Sequence, residues 1–270
     1  MAPWRVVDTG VGSGAYNMGV DRALAEDLVA GPVLRFYDWY PPAVSCGYGQ
    51  RPEREVDPDV CHAMGVDIVR RPTGGRAVLH WEELTYCIVC DPEALGPGMG
   101  IEEIYREIGE CLAEGLRIFG VGVELERVRR SIGPTRDKGA TRPCFSSAAR
   151  YELKYRGRKL VGSAQRRYRH CILQHGSILL GRAHQRLPQL MRIDPVARKE
   201  WTRHLQARSI DLAACVERPV DRAELVDCLV RGFSRRLGTE MSRDTLSEGE
   251  IRRAAQLAED LISVPPVEVA

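Results

Sequence analysis

The chain has 270 residues, of which 44% are hydrophobic and 28% charged, and its formal net charge is +2. This length suits one α/β domain with an appendage, and no apolar run approaches the roughly 20 residues that a membrane-spanning helix needs. So small a charge excludes an overall electrostatic affinity for nucleic acid, and nine cysteines in a chain able to build its own core read as free thiols in a reducing compartment.

The N-terminal Met1-Ala2-Pro3-Trp4-Arg5 has no apolar signal core, so a cytoplasmic protein is expected. Residues 16–29 read as a helix, with Met18, Leu24 and Leu28 at near-helical spacing. Residues 33–40 and 43–47 read as strands broken by Pro41-Pro42. Asp57-Pro58 then opens a short helix closed by Gly65. Residues 66–70, 77–80 and 84–90 read as strands around the turn Pro72-Thr73-Gly74-Gly75. Ile101, Ile104, Tyr105, Ile108, Leu112, Leu116 and Phe119 form an apolar stripe on a long helix. Strands follow at 151–155, 158–162 and 171–180, the first two joined at Arg156-Gly157. Beyond Leu187 no strand is expected. Asp221 with Glu224 and Ser247 with Glu250 have capping-box spacing before helices whose stripes are Leu225, Leu229, Phe233 and Ile251, Ala255, Ala258, Leu261. The expected fold is α+β: a mixed sheet flanked by helices over residues 1–205, a C-terminal helical subdomain over 206–262, and a tail over 263–270.

Cys144 stands apart from the other eight cysteines, which sit in apolar or strand-like surroundings. It lies in Thr141-Arg142-Pro143-Cys144-Phe145, beside a stretch from 127 to 142 whose five Arg, one Lys and one Asp give a local charge of +5. Fifteen residues on is Lys159, one of four lysines. An unperturbed thiol, with a pKa of about 8.5, is only slightly ionised at neutral pH. An ammonium about 4 Å away contributes roughly 4 kcal/mol at an effective dielectric of 20, before desolvation. A net shift of about two units makes the thiolate the majority form. Cys144 with Lys159 is therefore a candidate activated nucleophile, set against the plainer reading of a core cysteine and a solvated lysine.

The run Arg70-Arg71-Pro72-Thr73-Gly74-Gly75-Arg76-Ala77-Val78-Leu79-His80 is a second candidate. Backbone N–H groups at adjacent glycines can hold an oxyanion or carbonyl. A bare Gly-Gly pair is first of all a turn, but a turn does not require three flanking arginines. Gly162-Ser163-Ala164-Gln165 and His175-Gly176-Ser177 can line a channel or simply pack a sheet. Cys87 and Cys90 have CxxC spacing, yet residues three apart on a strand face opposite sides and cannot share a metal. No histidine cluster has ligand spacing, so no metal is expected. Arg166-Arg167-Tyr168-Arg169-His170 splits its charge over two strand faces and offers one aromatic, which argues against an RNA platform.

Together these segments resemble the lipoyl/octanoyl transferase and ligase superfamily, which includes biotin protein ligase and lipoate–protein ligase. The resemblance runs from Leu34-Arg35-Phe36-Tyr37 and Gly47-Tyr48-Gly49-Gln50 through the arginine-glycine turn to Lys159-Leu160-Val161-Gly162-Ser163-Ala164-Gln165 and Leu173-Gln174-His175-Gly176-Ser177. Cys144-Phe145 ahead of Tyr151-Glu152-Leu153 resembles the bacterial octanoyltransferases that carry their nucleophile in a Cys-Phe pair.

That resemblance implies Cys144 as the acyl-thioester nucleophile and Lys159 as the group lowering its pKa. It implies substrate contacts by Arg71, Thr73, Gly74, Gly75, Arg76, His80, Gly162, Ser163, Ala164, Gln165, His175 and Gly176. The implied reaction moves octanoyl from octanoyl-acyl carrier protein to a lysine of a lipoyl domain, such as the glycine cleavage H protein or a dehydrogenase subunit, in lipoate biosynthesis. No cofactor, nucleic acid or membrane is implied, and a monomer is expected. The alternatives are an ATP-dependent lipoate or octanoate ligase, an amidotransferase between lipoyl domains, and a carrier-protein or RNA-binding relative without catalysis. Arg76, where such ligases show a third glycine, favours thioester chemistry. Trp81 and the C-terminal tail depart from the family pattern.

Overall fold

Alternating apolar side chains build one large sheet that takes helices on both faces. In the computed structural model, which describes residues 3–26, 31–127 and 151–261, the chain begins with β1 (Trp4–Gly12), α1 (Gly14–Glu26), β2 (Val33–Trp39), β3 (Ala43–Cys46), α2 (Pro52–Glu55) and α3 (Pro58–Ala63). It continues through β4 (Asp67–Arg70), β5 (Val78–His80), β6 (Glu83–Cys90), α4 (Ile101–Phe119), β7 (Glu124–Arg127), β8 (Tyr151–Tyr155), β9 (Arg158–Arg167) and β10 (Ile172–Leu179). Then come α5 (Leu187–Leu190), α6 (Pro195–Arg208), α7 (Leu212–Val216), α8 (Arg222–Leu237), β11 (Met241–Asp244) and α9 (Glu248–Glu259). The large sheet has the order β11-β1-β2-β6-β10-β9-β8-β7, and β4-β3-β5 form a smaller one. β1 runs parallel to β11 and β2, while every pairing from β2–β6 to β8–β7 is antiparallel. The mixed α+β fold expected from the sequence is the fold observed.

Period-two alternation sorts the strands into two cores. Leu34, Phe36, Tyr86, Ile88, Cys90, Ile172 and Ile178 face α4 and α8, whereas Val33, Tyr37, Cys87, Val89 and Leu173 face α1 and α9. Cys87 and Cys90 thus lie in different cores, as their spacing required. The α4 stripe is buried from Ile104 to Phe119, but Ile101 in its first turn is 41% exposed. Arg156 and Gly157 both have positive φ, so the β8–β9 hairpin closes with the backbone that its two-residue turn demands.

Residues after 206 join these same layers: α8 lies on α4, β11 extends the sheet beside β1, and α9 covers α1. β11 corrects the expectation that strands stop at Leu187. Met241-Ser242-Arg243-Asp244 carries no apolar alternation and is mostly exposed, and the ladder is supplied by the free edge of β1. The α9 stripe also differs, since Ala254, Leu257 and Leu261 are buried while Ile251 is 44% exposed. Two contacts rotate α9 this way. Arg5 of β1 donates to both oxygens of Glu250, at 2.7 and 3.1 Å, and Gly19 lets α1 approach so closely that a Cβ there would meet the Ala254 carbonyl oxygen at 2.4 Å.

The α4–α8 crossing uses the same device. A Cβ on Gly232 would stand 2.3 Å from the Gly115 nitrogen, a contact only backbone movement can relieve. Gly232→Val is expected to cost about 2–3 kcal/mol of folding stability by overpacking, read as a lower urea midpoint at unchanged slope.

Candidate active site

The turn between β4 and β5 is fixed by two chains of buried side chains that reach it from opposite directions. The first begins on α1. The Asp21 carboxylate accepts from Arg35 Nη1 at 2.5 Å, from the Tyr37 hydroxyl at 2.8 Å and from His175 Nδ1 at 2.8 Å. His175 Nε2 then meets Thr73 Oγ1 at 2.7 Å. Asp21, Arg35 and Thr73 are all fully buried. Burial alone would raise the Asp21 pKa, but Arg35 and His175 hold it below the ordinary carboxylate range. Burial pushes the His175 pKa below its usual 6.5 against the pull of Asp21, so the ring is neutral at pH 7. A neutral ring donating from Nδ1 leaves Nε2 as acceptor, and the Thr73 hydroxyl is the donor.

The second chain passes through Arg71. Its guanidinium donates to the Ser45 carbonyl at 2.8 Å and Ser45 Oγ at 3.1 Å, and to the turn carbonyls of Gly74 and Arg76 at 2.8 and 2.7 Å. Ser45 Oγ meets His80 Nε2 at 2.7 Å, and His80 Nδ1 meets Glu83 Oε1 at 2.7 Å. Thr85 and Ser177 donate to that same oxygen at 2.7 and 2.8 Å. Trp39 stacks on the His80 ring at 3.9 Å between centroids and donates its indole N–H to Thr85.

With its carbonyls drawn inward by Arg71, the turn leaves the N–H groups of Gly74 and Gly75 without a partner among the described residues. Both glycines are exposed. Gly75 has φ +99°, and Gly47 packs beneath it so tightly that a Cβ there would lie 2.1 Å from the Gly75 oxygen. Free N–H groups held in this way can receive a developing oxyanion.

The β9–β10 register places Gly162, Ser163, Ala164 and Gln165 opposite Ser177, Gly176, His175 and Gln174. Strand alternation divides this set. Ala164 shares a face with His175, and on the same face Arg166 reaches the Pro72 carbonyl at 2.8 Å. Ser163 and Gln165 point to the α4 side instead: Ser163 Oγ accepts from Tyr86, its carbonyl accepts from Tyr105, and Gln165 donates to Gln174. Gly176 lies under this second group, where a Cβ would meet the Tyr86 ring at 2.7 Å.

Lys159 is buried, and its Nζ lies 2.9 Å from Glu152 Oε1, whose side chain is only 10% exposed. Glu152 is one residue past the start of β8, which pairs with β7. Cys144 itself lies outside the described residues. The eight described cysteines are all free. Burial raises every one of their pKa values, to about 11 for Cys46, Cys171 and Cys215 and about 12 for Cys61, with Cys87, Cys90, Cys111 and Cys228 also raised. Burial thus favours the protonated thiol at all eight.

Asp21, Arg35, Ser45 and Glu83 were not singled out from sequence. The available signal was a charge inside a strand of otherwise apolar residues, as in Val33-Leu34-Arg35-Phe36.

The sequence pattern described as the lipoyl protein ligase A/B catalytic domain matches residues 13–234. The chain belongs to this family. A lipoyl protein ligase A/B relative named octanoyltransferase LipM, from Symbiobacterium thermophilum, is 43% identical over 260 residues, covering 95% of this chain and 94% of its own length. The protein of the same name from Kyrpidia tusciae is 38% identical, with 95% of each chain covered. Among solved structures, a bipartite lipoate protein ligase from Thermoplasma acidophilum shares the fold at TM-score 0.77 and 24% identity, over 98% of this chain and 94% of that one. Lipoate-protein ligase A bound with ATP does so at TM-score 0.75 and 24% identity, over 95% and 94%. Among the described residues no group of His, Cys, Asp or Glu could hold a metal ion, and no helix is long and apolar enough to cross a membrane.

The two buried imidazoles whose pKa values are lowered, His175 and His184, give a signed prediction. The unfolded chain takes up these protons near pH 6.5 while the folded one resists, so stability is complete above about pH 6.5 and is lost as pH falls below it. The thermal midpoint is expected to drop between pH 7.5 and 5.5, and His175→Gln, though less stable throughout, should show a shallower drop by calorimetry.

Proposed function

We propose that this chain is an octanoyltransferase of lipoate biosynthesis that carries the acyl group on Cys144 as a thioester. The observation that carries the activity is full-length kinship with proteins named octanoyltransferase at up to 43% identity. The site assignment rests on the Cys144-Phe145 pair ahead of Tyr151-Glu152-Leu153, which resembles the family's pattern. Every described thiol is suppressed by burial, whereas Cys144 sits among cations in sequence and seven residues before β8.

In the first step the Cys144 thiolate attacks the carbonyl carbon of octanoyl-acyl carrier protein. A new C–S bond forms, the bond to the phosphopantetheine sulfur breaks, and that thiol leaves with a proton. In the second, a lysine amine of a lipoyl domain attacks the acyl-enzyme. The amide forms, the C–S bond to Cys144 breaks, and the proton lost by the amine passes to solvent or to a neighbouring base. Lys159, paired in its buried site with Glu152, lowers the thiol pKa, and each oxyanion is received by the Gly74 and Gly75 N–H groups. The thioester supplies the driving force, so ATP is not consumed. The partners are proteins. The donor is an acyl carrier protein, and the acceptor is the glycine cleavage H protein or a dehydrogenase subunit.

The test is intact-mass analysis after mixing with octanoyl-acyl carrier protein and no ATP. One octanoyl adduct on Cys144, discharged by a lipoyl domain, is the expected result. Cys144→Ala should take none, and an adduct elsewhere, or a strict need for ATP and free acid, refutes the reading. In Lys159→Met the thiol returns towards its ordinary pKa of about 8.5, so acylation at pH 7 should slow roughly tenfold or more and recover as pH rises towards 9.

A further inference from the structure

Helix α6 has almost nothing to bury. Of its 14 residues only Leu205 is buried, in a small cluster with Val78 and Leu179. Both ends are nonetheless pinned. Asp194 accepts from the Val196 and Ala197 N–H groups at 2.9 Å, and Ser209 Oγ meets both the Leu205 carbonyl and His184 Nε2 at 2.6 Å. The outer surface carries Arg198, Lys199, Arg203 and Arg208 against a single acid, Glu200, all exposed.

Among the described residues none of these four cations makes an ion pair. Arginines elsewhere do: on α8 Arg222 pairs with Asp8 and Asp38 and Arg236 with Glu107, and on α9 Arg253 pairs with Glu26. Lys199 and Arg203 are one helical turn apart, a spacing at which like charges destabilise a helix. On α6, therefore, a like-charge repulsion stands that no described carboxylate offsets, whereas Arg222, Arg236 and Arg253 each meet one on another element.

The helix ends at the candidate site. Ser209 bridges to Lys159, and the Ile210 N–H donates to the Lys159 carbonyl at 3.0 Å. From there α6 extends about 21 Å along its axis.

Building on the transferase reading above, we propose that α6 is the docking surface for the body of the acidic carrier protein that donates the thioester. Charge selects an acidic partner and steers its approach. Distance selects the donor over the acceptor. A donor presents its acyl group at the end of a long prosthetic arm, so its body can rest on α6 while the thioester reaches Lys159, at the C-terminal end of the helix. An acceptor lysine belongs to a folded domain, which must itself come up to the acyl-enzyme.

The test compares single-turnover acylation by octanoyl-acyl carrier protein with acylation by octanoyl-pantetheine, a small uncharged thioester. The variant is the triple substitution Arg198→Glu, Lys199→Glu and Arg203→Glu, with folding checked by circular dichroism and thermal midpoint. Transfer from the carrier is expected to slow about tenfold or more and to lose its salt dependence, while transfer from octanoyl-pantetheine stays within about twofold. If the triple variant does not fold, the three glutamine substitutions replace it, with a smaller loss in the same direction expected. An unchanged carrier rate, or an equal fall with both thioesters in a folded variant, overturns the docking assignment alone. A wild-type chain acylated by neither thioester overturns the transferase reading, and the docking assignment with it.

Discussion

A carboxylate buried beneath the sheet fixes where everything else can sit. Arg35 projects from the middle of β2 with no access to solvent, and a cation in that position is tolerable only if a counter-ion and hydrogen-bond acceptors are brought to it. α1 supplies them through Asp21, Asn17 Oδ1 and the Asn17 carbonyl. The pairing sets both the rotation and the height of α1 on the sheet. It also brings Gly14 against Val69 and Ala43 of the smaller sheet, where a Cβ would find 2.8 and 3.1 Å. Because Asp21 has a further oxygen for His175, the ion pair that docks the helix also orients an imidazole on β10. The link from packing to chemistry is a single carboxylate.

From that point the turn is set by donor and acceptor counting. Each imidazole spends its Nδ1 on a carboxylate, Asp21 for His175 and Glu83 for His80, and presents Nε2 to a hydroxyl. The hydroxyls belong to Thr73 in the turn and to Ser45 beside Arg71. Arg71 then takes the turn's carbonyls, which is why its N–H groups face outward. Both ends of the turn are determined from within the core, so its geometry is preorganised, which is the condition under which N–H groups proposed to receive an oxyanion are worth most.

Much of this was legible in the sequence, for reasons that can be assigned to particular residues. The Cys87–Cys90 split and the α4 stripe follow from the fixed periods of strand and helix. The arginine-glycine turn announced itself because a plain turn needs no Arg71 or Arg76. What escaped was non-local. The rotation of α9 depends on Arg5 and Gly19, more than 200 residues away, and β11 is a strand only because β1 offers an edge. Likewise Thr73 and His175 are 102 positions apart. Strand alternation also divides what the motif joined, since Ser163 and Gln165 serve the α4 side while Ala164 serves the turn. Trp81, atypical for the family pattern, packs against the small-sheet core with the Arg186 guanidinium 4.9 Å over its ring, which places it under the segment leading to α6.

The net charge of +2 conceals an uneven distribution that matters more than the total. On α8 and α9, Arg222, Arg236 and Arg253 serve as fasteners, each closed on a carboxylate of another element, and they contribute little field at a distance because each is neutralised locally. On α6 the cations have no such partners among the described residues, so their field extends into solvent over roughly a Debye length, about 8 Å at physiological ionic strength. In the docking proposed above, a donor drawn to α6 by charge presents its thioester at the Lys159 end of the helix and leaves the turn open to the acceptor.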